Sequence, residues 1–305
     1  MTRVVMIAAV LYGGLPGVAL GQGQNPSPMV ETTRAHERLT PGSPSGVART
    51  VPGPGDRPVD LFIPAGTTGS EPVTAVIHFH GAAWIPHQAV AGLGSNAVSA
   101  VVNLGAGSTV YDRAFSDPGT FGELLRRIER EVGVVLGGQS RLGDVVLAAF
   151  SAGHGAVRSI LRDTAGFAPV SSVLLMDGMH TSYVPDGKVL ADSGSLDTRN
   201  LVEFEAFARA AIAGQKRFLI THSEIFPGTF ASTTETADWL LNELGLQRTA
   251  VLQWGPRGMQ QLSHVEAGRF EVRGYAGNSA PDHVDHFHAL PELLARLFGR
   301  APTDP

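Results

Sequence analysis

Few residues in this chain can do covalent chemistry, and one of them has a telling context. There is no cysteine, so a thiolate nucleophile, a disulfide framework and a thiolate zinc site are all excluded. Ser151 closes the apolar run Val145-Val146-Leu147-Ala148-Ala149-Phe150 and is followed by Ala152-Gly153-His154-Gly155-Ala156. The run predicts a strand buried on both faces, and the residues after Ser151 predict a helix. Small residues two positions to either side, Ala149 and Gly153, let the backbone make a tight strand-to-helix turn that pushes the hydroxyl outward. Such a turn also puts the Ala152 N–H and the positive end of a helix where an oxyanion would develop.

A serine hydroxyl needs a base to take its proton, and the base needs an acid to hold its tautomer. Histidines crowd the stretch Asp282-His283-Val284-Asp285-His286-Phe287-His288-Ala289-Leu290-Pro291-Glu292, read as a loop before a last helix. Two carboxylates lie just beyond apolar runs. Asp177 lies in Asp177-Gly178-Met179-His180 after Ser172–Met176, and Glu224 lies in His222-Ser223-Glu224 after Arg217–Thr221. Asp177 is preferred because a carboxylate at a strand tip, followed by glycine, has a short rigid mount.

The elements that must position these groups follow from periodicity. Eight short runs predict strands at 60–63, 73–79, 100–104, 145–150, 172–176, 217–221, 250–254 and 270–275. Between them, apolar residues recur at helical spacing. Phe121, Leu124, Leu125, Ile128 and Val132 make one face, with a capping box from Thr120 and Glu123. Leu201, Phe204, Phe207 and Ile212 make another, and Ser232 with Glu235 opens a third helix that Gly245 ends. Strands alternating with helices imply a mostly parallel sheet covered on both faces.

With these elements in place, the chain from Val51 to Gly299 resembles the α/β-hydrolase superfamily, of the serine esterase and lipase kind. Ala149 stands where that family most often has glycine. The resemblance implies an α/β-hydrolase fold with an eight-stranded, mostly parallel sheet and helices on both faces. It implies that His80-Gly81, after the run Val73–Phe79, leads a loop whose Ala82 N–H joins Ala152 in an oxyanion hole, with His80 orienting that loop. It places the base in the 282–292 stretch, where His283 fits the family's His-x-x-His…Pro-Glu layout best, His286 is the alternative, and His288 lies too near the helix. The family's more common acid position, one strand later, keeps Glu224 open beside Asp177. His154 is expected as a helix-start residue near the pocket.

Bulk properties narrow the function further. In 305 residues, 43% are apolar, enough for a core of that size, and the net charge of −5 is spread without blocks. Charge therefore gives no support to a nucleic-acid or anionic-membrane partner. Arg3, the apolar stretch Val4–Leu20 and the small residues at Ala19-Leu20-Gly21 read as a signal peptide over 1–21. Residues 22–50 read as an irregular Gly/Pro-rich arm and 51–300 as the catalytic domain. No later segment reaches the ~18 apolar residues of a membrane span, so a secreted or periplasmic location without stable membrane insertion is expected.

The reading is a serine hydrolase of carboxylic esters with a small-molecule substrate and no cofactor. Trp84, Ile85 and Pro86 are expected to form an apolar wall, and 181–197 a small lid. A peptidase or amidase on the same triad is the nearest alternative. His78 and His80, which share a strand face, also raise a metal-dependent hydrolase built with Asp177, His180 and His222. A non-catalytic binding protein of the same fold is the third.

Overall fold

A computed structural model describes residues 35–138 and 140–299. The expected signal peptide and the first part of the expected arm lie outside the described residues. The strands are β1 (Gly46–Pro52), β2 (Pro58–Pro64), β3 (Val73–Phe79), β4 (Ala97–Val102), β5 (Leu142–Phe150), β6 (Val170–Met176), β7 (Tyr183–Val184), β8 (Ser195–Leu196), β9 (Arg217–His222), β10 (Thr249–Trp254), β11 (Gln260–Ala267) and β12 (Phe270–Tyr275). The helices are α1 (Trp84–Gly92), α2 (Ser108–Ala114), α3 (Pro118–Leu136), α4 (His154–Arg162), α5 (Thr164–Phe167), α6 (Val202–Ile212), α7 (Thr233–Leu244), α8 (Ala280–His288) and α9 (Leu290–Leu297).

The main sheet has ten strands in the order β1-β2-β4-β3-β5-β6-β9-β12-β11-β10. From β4 to β12 neighbours are parallel, while β1 and β2 on one flank and β11 and β10 on the other are antiparallel. The expectation of eight strands is therefore corrected by two. β1 buries only Val51, and β11 is interrupted by Gln260, Gln261, Ser263, His264 and Glu266, so neither shows an apolar run or a regular alternation. β1 begins inside the expected arm, and the sheet starts at Gly46 instead of Val51.

Alternate residues of the central strands face opposite ways. Ile77, Leu147, Leu175 and Ile220 pack with Ile128, Val157, Phe204 and Leu240 from α3, α4, α6 and α7. Val76, Val146, Leu174 and Leu219 pack with Ile85 and Val90 of α1 and Leu290 and Leu294 of α9. Helices on both faces leave the ends of the parallel strands as the place for a site.

Two helix starts differ from expectation. α3 is capped by Asp117, whose side chain accepts from Gly119 N, three residues before Thr120. Residues 280–288, read as part of a loop, form α8. Ser279 and Asp282 cap it reciprocally, with Pro281 in the first turn. α7 opens with the expected reciprocal box of Ser232 and Glu235 and ends at the left-handed Gly245.

Candidate active site

Three neighbouring parallel strands end at one edge of the sheet, each in a residue with left-handed backbone. His80 follows β3 with φ 70°, Ser151 follows β5 with φ 49°, and Asp177 follows β6 with φ 44°. β3 pairs with β5 and β5 with β6, with Phe150 opposite Met176, so Ser151 and Asp177 leave the sheet side by side. Non-glycine residues in this region store strain that only surrounding structure can hold. Glycines supply that closeness. A Cβ on Gly178 would come within 2.6 Å of the Ser151 carbonyl oxygen, and one on Gly153 would overlap the Phe79 carbonyl. Small residues beside Ser151 are therefore required by packing against β3 and the β6 tip.

Asp177 is 2% exposed, and both its oxygens are fully engaged. Oδ1 accepts from Ser223 N at 2.9 Å and Thr233 Oγ1 at 2.6 Å. Oδ2 accepts from Ser223 Oγ and from His283 Nδ1, each at 2.7 Å. Burial alone would raise its pKa, yet the fields of His286 and His283 and these hydrogen bonds hold the carboxyl well below the usual range. A carboxylate with four donors is ionised and rigid. His283, from the second turn of α8, thus carries its proton on Nδ1 and leaves Nε2 as the ring's acceptor. Its ring packs on Phe150, the residue before Ser151, with centroids 4.5 Å apart.

The β3 tip presents the second candidate oxyanion donor. His80 and Gly81 (φ 124°) turn the chain so that Ala82 follows at the same sheet edge as Ala152. His78, fully buried and pushed down to about 3 by burial, is neutral and bonds through Nε2 to the His80 carbonyl at 2.8 Å. His80 Nδ1 meets the Tyr111 hydroxyl at 3.0 Å. Ala152 lies in the single 3-10 turn Ser151–Gly153 that leads into α4, where first-turn N–H groups have no partner four residues back.

The remaining candidates lie elsewhere. Glu224 is exposed, and the hydrogen bonds to Asp177 from this loop come instead from its neighbour Ser223. His286 is 1% exposed, lowered by burial, and bonds through Nδ1 to Thr221 Oγ1 at 2.8 Å behind the site. His288 Nδ1 accepts from Leu39 N. His154, at the start of α4, bonds through Nδ1 to Ser151 O, and burial pushes it down to about 3. Sequence reasoning missed Ser223 and Thr233 around Asp177, since ordinary loop hydroxyls carry no signal until packing gives them a partner.

The five-residue metal alternative does not assemble. His180 is turned to the Ala231 carbonyl, and His222, held at about 4 chiefly by burial, accepts from Arg248 at 2.8 Å. Among the described residues, the one His and carboxylate set within ligating distance is His36, Asp282 and Asp285, where Arg38 already pairs with Asp285 at 3.1 Å. One loop expectation is revised: Ile85 and Pro86 are buried against the core in α1. The 181–197 segment carries the two-stranded β7–β8 ladder, with Thr181 bonded to Asp197 O and Tyr183 to Glu235. A cavity of about 380 Å³ lies at the opposite, N-terminal ends of β9 and β12, away from this edge.

No family model matches the chain, and no curated protein matches it. Among solved structures it is similar to a thermophilic esterase from Thermogutta terrifontis, with 14% identity, coverage of 86% of this chain and 96% of that one, and a TM-score of 0.47. An esterase from Pyrobaculum calidifontis shares 13% over 83% and 84% of the two chains, with a TM-score of 0.44. Est1E from Butyrivibrio proteoclasticus shares 10% over 84% and 100%, with a TM-score of 0.43. By its strand order, its tight turn at Ser151 between β5 and α4, and the edge on which Asp177 and His283 meet, the chain has the α/β-hydrolase fold.

Proposed function

We propose that the protein is a serine hydrolase of carboxylic esters, with Ser151 as nucleophile, His283 as base and Asp177 as acid. The observation that carries this reading is the Asp177–His283 hydrogen bond at 2.7 Å beside the strained turn of Ser151. His283 Nε2 takes the Ser151 proton as Oγ attacks the ester carbonyl. The N–H groups of Ala152 and Ala82 receive the oxyanion, and Asp177 stabilises the imidazolium that forms. Collapse expels the alcohol with the proton from His283. Water, activated by the same histidine, then releases the acid from Ser151. Esters are preferred to amides because their leaving groups need little protonation.

Export completes the reading, motivated by Arg3, the apolar stretch Val4–Leu20 and the small residues around Gly21. No helix among the described residues is long and apolar enough to cross a membrane. The test of the chemistry is Ser151→Ala, in which alanine keeps the turn and loses only the hydroxyl. Hydrolysis of p-nitrophenyl acetate and labelling by a fluorophosphonate probe should both vanish while urea unfolding is unchanged. Retention of more than a few per cent of activity removes Ser151 from the role.

A further inference from the structure

The loop that follows β3 is held by a residue that belongs to neither the triad nor the oxyanion pair. Asn103 stands directly after β4, which pairs in parallel with β3 so that Val102 lies opposite Phe79. Its side chain bonds both backbone groups of Gly81: Gly81 N donates to Asn103 Oδ1 at 2.9 Å, and Asn103 Nδ2 donates to Gly81 O at 2.8 Å. A short amide is suited to this, since it offers one acceptor and one donor side by side. Gly81 is closed in from the other side as well, because a Cβ there would sit 2.6 Å from the Phe287 ring of α8. With φ 124°, Gly81 adopts a backbone that only this residue enters freely, and the chain then delivers Ala82.

We propose that Asn103 is a positioning residue for ester hydrolysis, which fixes Gly81 and thereby aims the Ala82 N–H at the oxyanion. The inference rests on the proposed role of Ala82 and goes beyond it by naming what sets the donor's direction. Three neighbours already hold the residue before Gly81: His78 through the His80 carbonyl, Tyr111 through the His80 ring, and Val102 O, which accepts from His80 N. Asn103 acts one residue closer to the donor, at the one peptide whose flip would turn Ala82 N–H away. Asn103 is itself exposed. Its bonds are exchanged against water, so they contribute little net stability. A doubly bonded, exposed asparagine that merely braces the fold has no reason to affect turnover.

The test is Asn103→Leu, similar in size and without polar groups, and Asn103→Asp, which keeps the acceptor and faces the Gly81 carbonyl with an oxygen. Removing an oxyanion donor outright costs about 10²–10³ in kcat, and misdirecting one costs less. Asn103→Leu should therefore lower kcat by about 10- to 100-fold with KM within about threefold, and Asn103→Asp should be at least as severe. Affinity for a trifluoromethyl ketone, which forms a tetrahedral adduct on serine, should fall by the same factor as kcat/KM, while inhibition by the product carboxylate stays unchanged. Ser151→Ala is assayed beside them. If it is inactive and both Asn103 variants turn over within twofold of the parent, the positioning role is overturned and the serine mechanism stands. If Ser151→Ala is active, the mechanism fails and the inference with it. A loss confined to KM, or equal loss of adduct and product affinity, also overturns it.

Discussion

Asp177→Asn tests whether Asp177, the proposed acid, works by fixing a tautomer, and the structure specifies which way the asparagine must sit. One carboxylate oxygen faces the Ser223 backbone N–H and Thr233 Oγ1, and the other faces Ser223 Oγ and His283 Nδ1. A backbone N–H cannot be reversed, so the amide oxygen must take the first position. The new NH2 then points at Ser223 Oγ, which can rotate to accept, and at His283 Nδ1, which can accept only by losing its proton. His283 is driven to the tautomer with its proton on Nε2, where it cannot serve Ser151. Inverting a tautomer in this way costs about 10³- to 10⁴-fold in kcat, or about 4–5.5 kcal/mol of barrier. The assay is turnover of a p-nitrophenyl ester at saturating concentration near pH 7.5, with urea unfolding to confirm the fold. Combining Asp177→Asn with His283→Ala should be little worse than His283→Ala alone, because the members act as a unit. A folded variant that loses less than tenfold refutes the reasoning.

Two further outcomes follow from titratable and charged groups in and around the proposed triad. His78 and His154, held at about 3, and His222, held at about 4, chiefly by burial, are neutral in the folded protein. Unfolded, each takes up a proton near 6.5, so stability falls as pH drops below that value and levels off only below their folded pKa values. The slope is up to about 1.4 kcal/mol per pH unit for each histidine. Asp177, whose folded pKa is depressed, contributes the same sign only in the acid range below about 4. Urea midpoints at pH 7, 6 and 5 check this, and a flat profile contradicts it. The arm supplies the last outcome: Arg38 bonds the Pro281 carbonyl at 2.7 Å and pairs with buried Asp285, while His36 Nδ1 meets Asp285 at 2.8 Å, all on the helix that bears His283. Arg38→Ala should cost about 1–3 kcal/mol, discounted because the guanidinium is partly exposed, and should lower kcat; unchanged urea midpoint and turnover would exclude this bracing.

How far the molecule could be read from residue order depends on whether the signal was local. The strand, small residues and helix around Ser151 are contiguous, and so is the Asp177-Gly178 tip, so both the turn and its place in the sheet were legible. The Ser279-x-x-Asp282 box was equally local, yet the crowd of histidines beyond it was read as a loop, and α8 was missed. β1 and β11 had no local signal, because flank strands with few buried residues show no apolar run. The choice between Asp177 and Glu224 was not decidable locally either. Both follow strands, and only packing brings Ser223 and Thr233 to one carboxylate and leaves the other exposed. Asn103 was silent for the same reason: an asparagine after a strand is an ordinary turn residue until the fold brings Gly81, from the loop after the neighbouring strand, against it.

The three strained tips at His80, Ser151 and Asp177 need something to hold them, and the aromatic packing shows what does. Strain of this kind costs about 1–3 kcal/mol per residue. It persists because the tips are not independent. The Phe150 ring stacks on Phe287 of α8 at 5.1 Å, lies 4.5 Å from the His283 ring, and reaches the His80 ring at 6.1 Å. Phe287 in turn stacks on His78 at 5.2 Å and walls Gly81. One apolar stack thereby ties the β3 tip, the β5 tip and the helix of the candidate base, while His283 Nδ1 ties that helix to the β6 tip. Relaxing any one tip would open the packing of the others, so each strained residue is held by contacts that the rest also need. Rings serve this better than polar contacts would, because they exclude water from beneath the site without competing for the hydrogen bonds that Asp177 and the loop after β3 require.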